Sequence, residues 1–237
     1  MDNNSDLINF YQLEAVEALQ PKTHNPNYAA HGIKVPFRMV VIGASGAGKS
    51  NVTLNIISKM EDTFNKIYLY TRNKHEPLYE YLEVAISEPD MLEIHEGLDH
   101  LRQLDMNKHY FGQTLVIFDD LCNEKDQSKI NELFIRGRKL GDGVSLIYLT
   151  QKYSLVPTIV REQCNYLILK KINGKRDIRA ILGNASLGAG REELLAMYNF
   201  CVTGGDMLSF LMVDFNAKSE HQFRHNFLKV LNIDHFK

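Results

Sequence analysis

The chain has 237 residues, 44% of them hydrophobic, and a formal net charge of −2. That length can bury a sizeable core in one large domain, and the three scattered cysteines, Cys122, Cys164 and Cys201, match neither a zinc pattern nor a disulfide framework, so a reducing compartment is expected. The near-neutral charge excludes a generally basic nucleic-acid coat but not local basic patches, and no apolar run approaches the roughly 20 residues that span a bilayer, so no membrane partner is expected.

The first residues are acidic and polar and do not read as a secretory signal. Ile8, Tyr11, Ala15, Val16 and Leu19 recur at helical spacing and predict a helix over 6–20 that ends at Pro21. Its apolar side either packs on its own domain or docks on a neighbouring subunit. Residues 21–36, rich in Pro, Asn, His and Gly, read as a linker or ordered arm. Short apolar runs follow over 37–42, 67–70, 115–118, 144–149 and 166–169, as expected for strands covered on both faces. Helical patterns alternate with them: Val52, Ile56 and Ile57 after the first run, Leu78, Tyr81, Leu82 and Ala85 after the second, Ile130, Leu133 and Phe134 after the third. The alternation predicts an α/β fold, a mostly parallel sheet with helices on both faces. A helix over 192–200 and a last strand within 208–215, at one sheet edge, complete the expectation.

The motif Gly43-Ala44-Ser45-Gly46-Ala47-Gly48-Lys49-Ser50 fits G-x-x-x-x-G-K-[ST] at every specified position, with an apolar strand before it and a helical pattern after it. Phosphate oxygens must approach consecutive backbone N–H groups closely, and glycines remove the side chains that would block them. The helix N-terminus adds a favourable dipole, Lys49 a compact charge for the β- and γ-phosphates, and Ser50 a hydroxyl ligand for Mg²⁺. ATP with Mg²⁺ is therefore the expected ligand pair.

The run over 115–118 ends in Asp119-Asp120. Ligands of α/β sheets bind at the carboxyl ends of strands, which places Asp119 to hold Mg²⁺ and Asp120 to orient or deprotonate the attacking water. The interval between the motifs leaves room for an intervening strand, 67–70, and its crossover helix. Such a strand, together with the second acid, resembles the additional-strand, catalytic-acid branch of P-loop ATPases. In that branch a polar residue ending the strand beside the metal-binding strand reaches the γ-phosphate, and here that residue is Gln151.

The full pattern resembles the FtsK–HerA class, with a RecA-like P-loop fold, and within it the genome-packaging ATPases of large double-stranded DNA viruses, poxviruses and virophages. The matching elements are the 43–50 motif, Phe118-Asp119-Asp120, Arg136-Gly137-Arg138, the strand ending in Thr150-Gln151, and Tyr153-x-x-Val156-Pro157 with Arg161. They cover about residues 37–169. One departure is Lys139, where relatives often carry His. The resemblance implies an ATPase whose homo-oligomeric ring pumps double-stranded DNA into a preformed capsid, at assembly sites in the host cytoplasm or on the virion, with Arg138, then Arg136 or Arg161, lent to a neighbour's γ-phosphate. The sequence pattern as a whole is read as three parts: a helix and arm over 1–32, on which the resemblance is silent, an ATPase domain over 33–216 and a tail over 217–237. The basic stretch from Lys170 to Arg179 either faces DNA phosphates or is an ordinary charged turn and helix start. The competing functions are a related cellular or plasmid translocase, a nucleotide kinase and a non-hydrolysing switch.

Overall fold

The computed structural model describes residues 8–20, 22–184, 190–204 and 206–237. The chain begins with a 3₁₀ turn, Phe10–Gln12, in which the Asn9 side chain accepts from the Tyr11 N–H, and one helical turn, α1 (Glu14–Glu17). The continuous helix expected over 6–20 is broken at Leu13, whose backbone is extended at ψ 131°; residues 6 and 7 lie outside those described. Packing on its own domain is not what the segment does, because Ile8, Phe10, Tyr11 and Leu19 are exposed. A single turn with no buried face gains too little to propagate a helix.

The arm that follows is tied to the domain by polar contacts. The Gln113 side chain accepts from the His24 N–H at 2.8 Å and donates to the carbonyls of His24 and Thr63. Asn27 donates to the Glu61 carbonyl at 3.0 Å. One turn, α2 (Tyr28–His31), ends on Gly32, at φ 64°.

Among the described residues, nine strands form one sheet. In chain order they are β1 (Arg38–Ile42), β2 (Lys66–Thr71), β3 (Leu92–Glu96), β4 (Thr114–Asp119), β5 (Val144–Thr150), β6 (Tyr166–Leu169), β7 (Leu211–Asp214), β8 (Phe223–His225) and β9 (Lys229–Val230). Their spatial order is β3-β2-β4-β5-β1-β6-β7-β8-β9. The six from β3 to β6 pair in parallel, and β7, β8 and β9 join antiparallel. Two positions differ from expectation. The strand between β1 and β4 is β5, whereas β2, over the 67–70 run, lies on the far side of β4. The last apolar run becomes β7, which is interior because residues 223–230 add two more strands outside it.

Helices cover both faces. On one side α3 (Lys49–Lys59) buries Val52, Ile56 and Ile57, and α4 (Pro77–Ala85) buries Tyr79 and Leu82 against Val41, Leu69 and Ile117. The buried face of α4 is therefore Tyr79 and Leu82, while Tyr81 and Ala85 turn outward. On the other side lie α5 (Asp99–Gln103), α6 (Ser128–Arg136), α7 (Thr158–Gln163), α8 (Lys175–Asn184) and α9 (Arg191–Val202), over Val40, Phe118, Tyr148 and Leu169. Alternate strand residues thus serve two cores, which is why the strands read as unbroken apolar runs. In the C-terminal segment, Phe223, Arg224 and Phe227 are buried, and Arg224 donates to the carbonyls of Gly32 and Phe227, both at 3.0 Å.

Gln113→Ala leaves the Thr63 carbonyl and both polar groups of His24 without their partner. The buried Thr63 carbonyl, so orphaned, costs about 1–3 kcal/mol, while the groups of the exposed His24 can turn to water. The variant is expected to melt lower and to be cut by protease within residues 22–36 faster than the wild type; thermal melting with limited proteolysis checks both.

Candidate functional site

The parallel register gathers the sequence-predicted residues at the carboxyl ends of three adjacent strands. Asp119 closes β4 opposite Leu149 of β5, and Ile42 closes β1 opposite Thr150. Gly43, one residue beyond β1, donates its N–H to the Thr150 carbonyl at 3.2 Å, and the Asp120 N–H reaches the Leu149 carbonyl at 3.3 Å. The 43–50 loop, the two acids and Gln151 therefore occupy one rim.

The loop is shaped by close approach. A Cβ on Gly43 would stand 2.7 Å from the Lys170 Cβ, and one on Gly48 would stand 2.7 Å from the Met207 carbonyl oxygen. Gly48 also holds φ 84°, a left-handed conformation from which α3 starts at Lys49. No side chain caps that helix end, so its first N–H groups face the loop, with the positive end of the helix dipole behind them. The Lys49 ammonium folds back into the loop, donating to the carbonyls of Gly43 (3.1 Å) and Ala44 (3.2 Å). Burial lowers its pKa, against the pull of Asp119, Asp120 and Glu76. Beside the loop opens a cleft of about 310 Å³ lined by residues 44–47, Lys171, Asn173, Asp206 and Met207.

Asp119 is buried, and the Tyr79 hydroxyl donates to its Oδ2 at 2.7 Å. Burial pushes its pKa up to about 6; the Tyr79 bond and Lys49 oppose the rise, while Glu76 and Asp120 add to it. A carboxylate held this way lacks a full counter-charge. With the Ser50 hydroxyl on the first turn of α3, it forms a hard oxygen donor set that suits Mg²⁺. Asp120 is half-buried in a left-handed conformation, φ 56°, and accepts from Gln151 Nε2 at 3.3 Å. Only Gly, Asn and Asp adopt that conformation readily.

Two residues of this cluster were not foreseen. Tyr79 sits on α4, between Leu78 and the exposed Tyr81, and its position in sequence carries no sign that it meets Asp119. Glu76, just before Pro77, projects its charge onto both Lys49 and Asp119.

The arginines lie elsewhere. Helix α6 leaves the carboxyl end of β4 and returns to the amino end of β5, where Gly137 packs beside Val144. The exposed Arg138 follows it, near enough to Arg38, at the start of β1, to help burial depress that guanidinium. The length of β1, about 15 Å at 3.3 Å per residue, thus separates Arg138 from this chain's own loop. Arg136 is held by Glu132 (2.7 Å) and Asn107 (2.9 Å), and Arg161 packs over the Tyr153 ring at 5.2 Å. Within the basic stretch, Lys170 is not free to meet DNA. It is buried, bonds the Met207 carbonyl and lies over Phe210, and burial lowers its pKa to about 8. Lys171, Arg176 and Arg179 are exposed.

This fold is that of a P-loop NTPase with an additional strand between its two motif strands. The chain belongs to the Poxvirus A32 protein family, whose profile matches residues 28–214. It is 27% identical over 184 residues to the proteins named DNA packaging protein OPG160 of Variola virus and of Vaccinia virus (strain Copenhagen), an alignment that takes in 72% of this chain and 66% of each relative. The chain thus spans just under two thirds of the length of these curated relatives. Among solved structures, the genome packaging NTPase B204 of Sulfolobus turreted icosahedral virus 2, in complex with sulfate, superposes with a TM-score of 0.59 at 18% identity, covering 82% of this chain and 97% of that one. The same protein in complex with ATP-gammaS superposes at 0.58 and 17% identity, covering 84% of this chain and 100% of that one. EssC (ATPases 2 and 3) from Geobacillus thermodenitrificans superposes at 0.52 and 12% identity, covering 84% of this chain and 40% of that one.

The raised carboxyl of Asp119 has a consequence for the metal-free protein. Between its ordinary pKa near 4 and about 6, the folded chain holds a proton that the unfolded chain has released. Stability is therefore lost as pH rises through that window, by roughly 3 kcal/mol in all. Asp119→Asn keeps an acceptor for Tyr79 and cannot ionise. In chelator the variant is expected to melt above the wild type at pH 7 and close to it near pH 4; thermal melts across that range check the difference.

Proposed function

We propose that this chain is an ATPase that converts ATP hydrolysis into movement of double-stranded DNA, packaging a viral genome into a preformed capsid. The observation that carries the reading is the meeting of the 43–50 loop, Asp119, Asp120 and Gln151 on one rim, in a chain of the Poxvirus A32 protein family. The names of its relatives and the ATP-analogue complex of its structural neighbour support it.

In this reading the backbone N–H groups from Ala44 to Ser50 receive the phosphates, and Lys49 exchanges its two loop carbonyls for phosphate oxygens. Ser50 and Asp119 would hold Mg²⁺, which neutralises charge on the phosphoryl oxygens. Tyr79 fixes the rotamer of Asp119. Asp120 takes a proton from, or orients, the attacking water, and Gln151, already hydrogen-bonded to Asp120, is placed to report the γ-phosphate to it. Arg138 acts on a neighbouring subunit's nucleotide, because its own loop is out of reach. The partners are double-stranded DNA, further copies of this chain in a ring and a capsid component. The setting is the viral assembly site of an infected cell. Among the described residues no helix is long and apolar enough to cross a membrane.

Hydrolysis is expected to rise when double-stranded DNA is added. Lys49→Ala should lose ATP·Mg²⁺ affinity, whereas Asp120→Asn should bind it and turn over at least about 100-fold more slowly. Calorimetry and a phosphate-release assay separate the two effects, and an Asp120→Asn variant with wild-type turnover rejects its role.

The arginine is tested by mixing. Arg138→Ala has an intact loop and Lys49→Ala an intact Arg138, so each alone should be slow while mixed assemblies recover activity. An arginine supplied in trans contributes about 10³–10⁵-fold in rate. Absence of recovery, in assemblies shown by mass to be mixed, transfers the role to Arg136 or Arg161.

A further inference from the structure

A second chemical cluster lies at the open edge of the sheet, separated from the 43–50 loop by β2, β4 and β5. In the β2–β3 pair Tyr68 lies opposite Glu93 and Tyr70 opposite His95. Glu93 and His95, two residues apart on the edge strand, project to the same face. Gly97, at φ 71°, turns the chain into α5, whose second residue is His100. That turn lays the His100 ring on His95, with centroids 3.8 Å apart and planes 7° from parallel. Ligating atoms of Glu93, His95 and His100 all lie within 4.8 Å of one another, and all three side chains are partly buried. We propose that Glu93, His95 and His100 form a divalent transition-metal site, suited to zinc, that fastens edge strand β3 to α5.

The donor set is two imidazoles and a carboxylate, a combination zinc accepts with water in the fourth position. The separation between His95 Nε2 and Glu93 Oε2 is 3.0 Å. Two tetrahedral ligands each about 2.05 Å from zinc stand about 3.3 Å apart, so an ion can replace the proton between these two atoms with small side-chain rotations. The Tyr70 hydroxyl lies 2.9 Å from His100 Nδ1 and leaves Nε2 for an ion; because the His95 and His100 rings lie in nearly parallel planes, one imidazole must tilt out of the stack to bring both in-plane lone pairs onto the same metal. Such an outer partner on the second ring nitrogen accompanies most metal-bound histidines. Glu93 is also bonded by Lys66, which leaves the carboxylate partly partnered when an ion takes the place of the His95 proton. Lys66 takes Oε1, at 2.5 Å, and leaves Oε2 to the metal. Its ammonium opposes a dication, but it is also drawn toward the Asp90 carbonyl on its other side. An exposed edge strand is the part of a sheet most in need of such fastening.

The test is equilibrium dialysis of the purified chain against Zn²⁺, without nucleotide or magnesium, read by elemental analysis. Thermal melting and the visible absorption of bound Co²⁺ give independent readouts. The wild type should retain one Zn²⁺ per chain, melt higher with it and show four-coordinate Co²⁺ bands. His75→Ala, at an exposed histidine that faces Glu80 and is not part of the cluster, should behave in the same way. His95→Ala and His100→Ala should each lose at least about tenfold in affinity together with the zinc-dependent rise in melting temperature. Glu93→Gln, nearly unchanged in volume, supplies the comparison if either alanine variant fails to fold. A wild type that retains no zinc, or cluster variants that retain it as tightly as the wild type, overturns the assignment.

Discussion

The site depends on one backbone constraint, the parallel pairing of β4, β5 and β1 in a single register. Asp119 pairs with Leu149, and Thr150 pairs with Ile42. Neighbouring strands stand about 4.8 Å apart, so two motifs separated by about 70 residues of chain end roughly 10 Å from each other. Each strand is apolar on both faces and each face carries its own core, which resists a slip of even one residue. A slip would also move Asp119 off the rim.

Around that frame the site holds groups that the fold alone would not favour. Asp119 and Lys49 are charges taken partly out of water, and each has its pKa moved toward the neutral form. Asp120 keeps a left-handed backbone. Burial, like-charge neighbours and unusual dihedrals concentrate at the same rim, as they do where chemistry is performed. The single bond from Tyr79 shows how the rest of the domain supports this: α4 packs on the sheet through Tyr79 and Leu82, and the same tyrosine holds the acid.

The far end of the sheet carries the arginines. Arg136 and Arg138 follow α6 to the amino ends of the strands, away from the loop. In the proposed ring, an arginine so placed would meet a nucleotide across a contact between chains. The exposed apolar segment over 8–19 is likewise unmatched by anything within this chain's own core.

Much of this was legible in the order of residues. The 43–50 motif, the apolar run into Asp119-Asp120 and the Thr150-Gln151 strand end are local patterns, and the family membership they suggested holds. The five central strands were legible because a strand buried on both faces must be apolar throughout. β3 was not, because an edge strand alternates, and Leu92, Ile94 and their polar neighbours carry a weaker signal. β8 and β9 were hidden for a similar reason: they are two or three residues long and lie in a segment interspersed with His, Asn and Lys. Which strand stands between β1 and β4, the meeting of Tyr79 with Asp119, the burial of Lys170 beneath the loop and the stacking of His95 on His100 were decided only by tertiary structure. Each joins residues distant in sequence or set by a turn's dihedral angles, and sequence spacing records neither. The local chemistry of the loop was written in the chain because consecutive backbone groups perform it; the partners that tune it come from other elements, through packing.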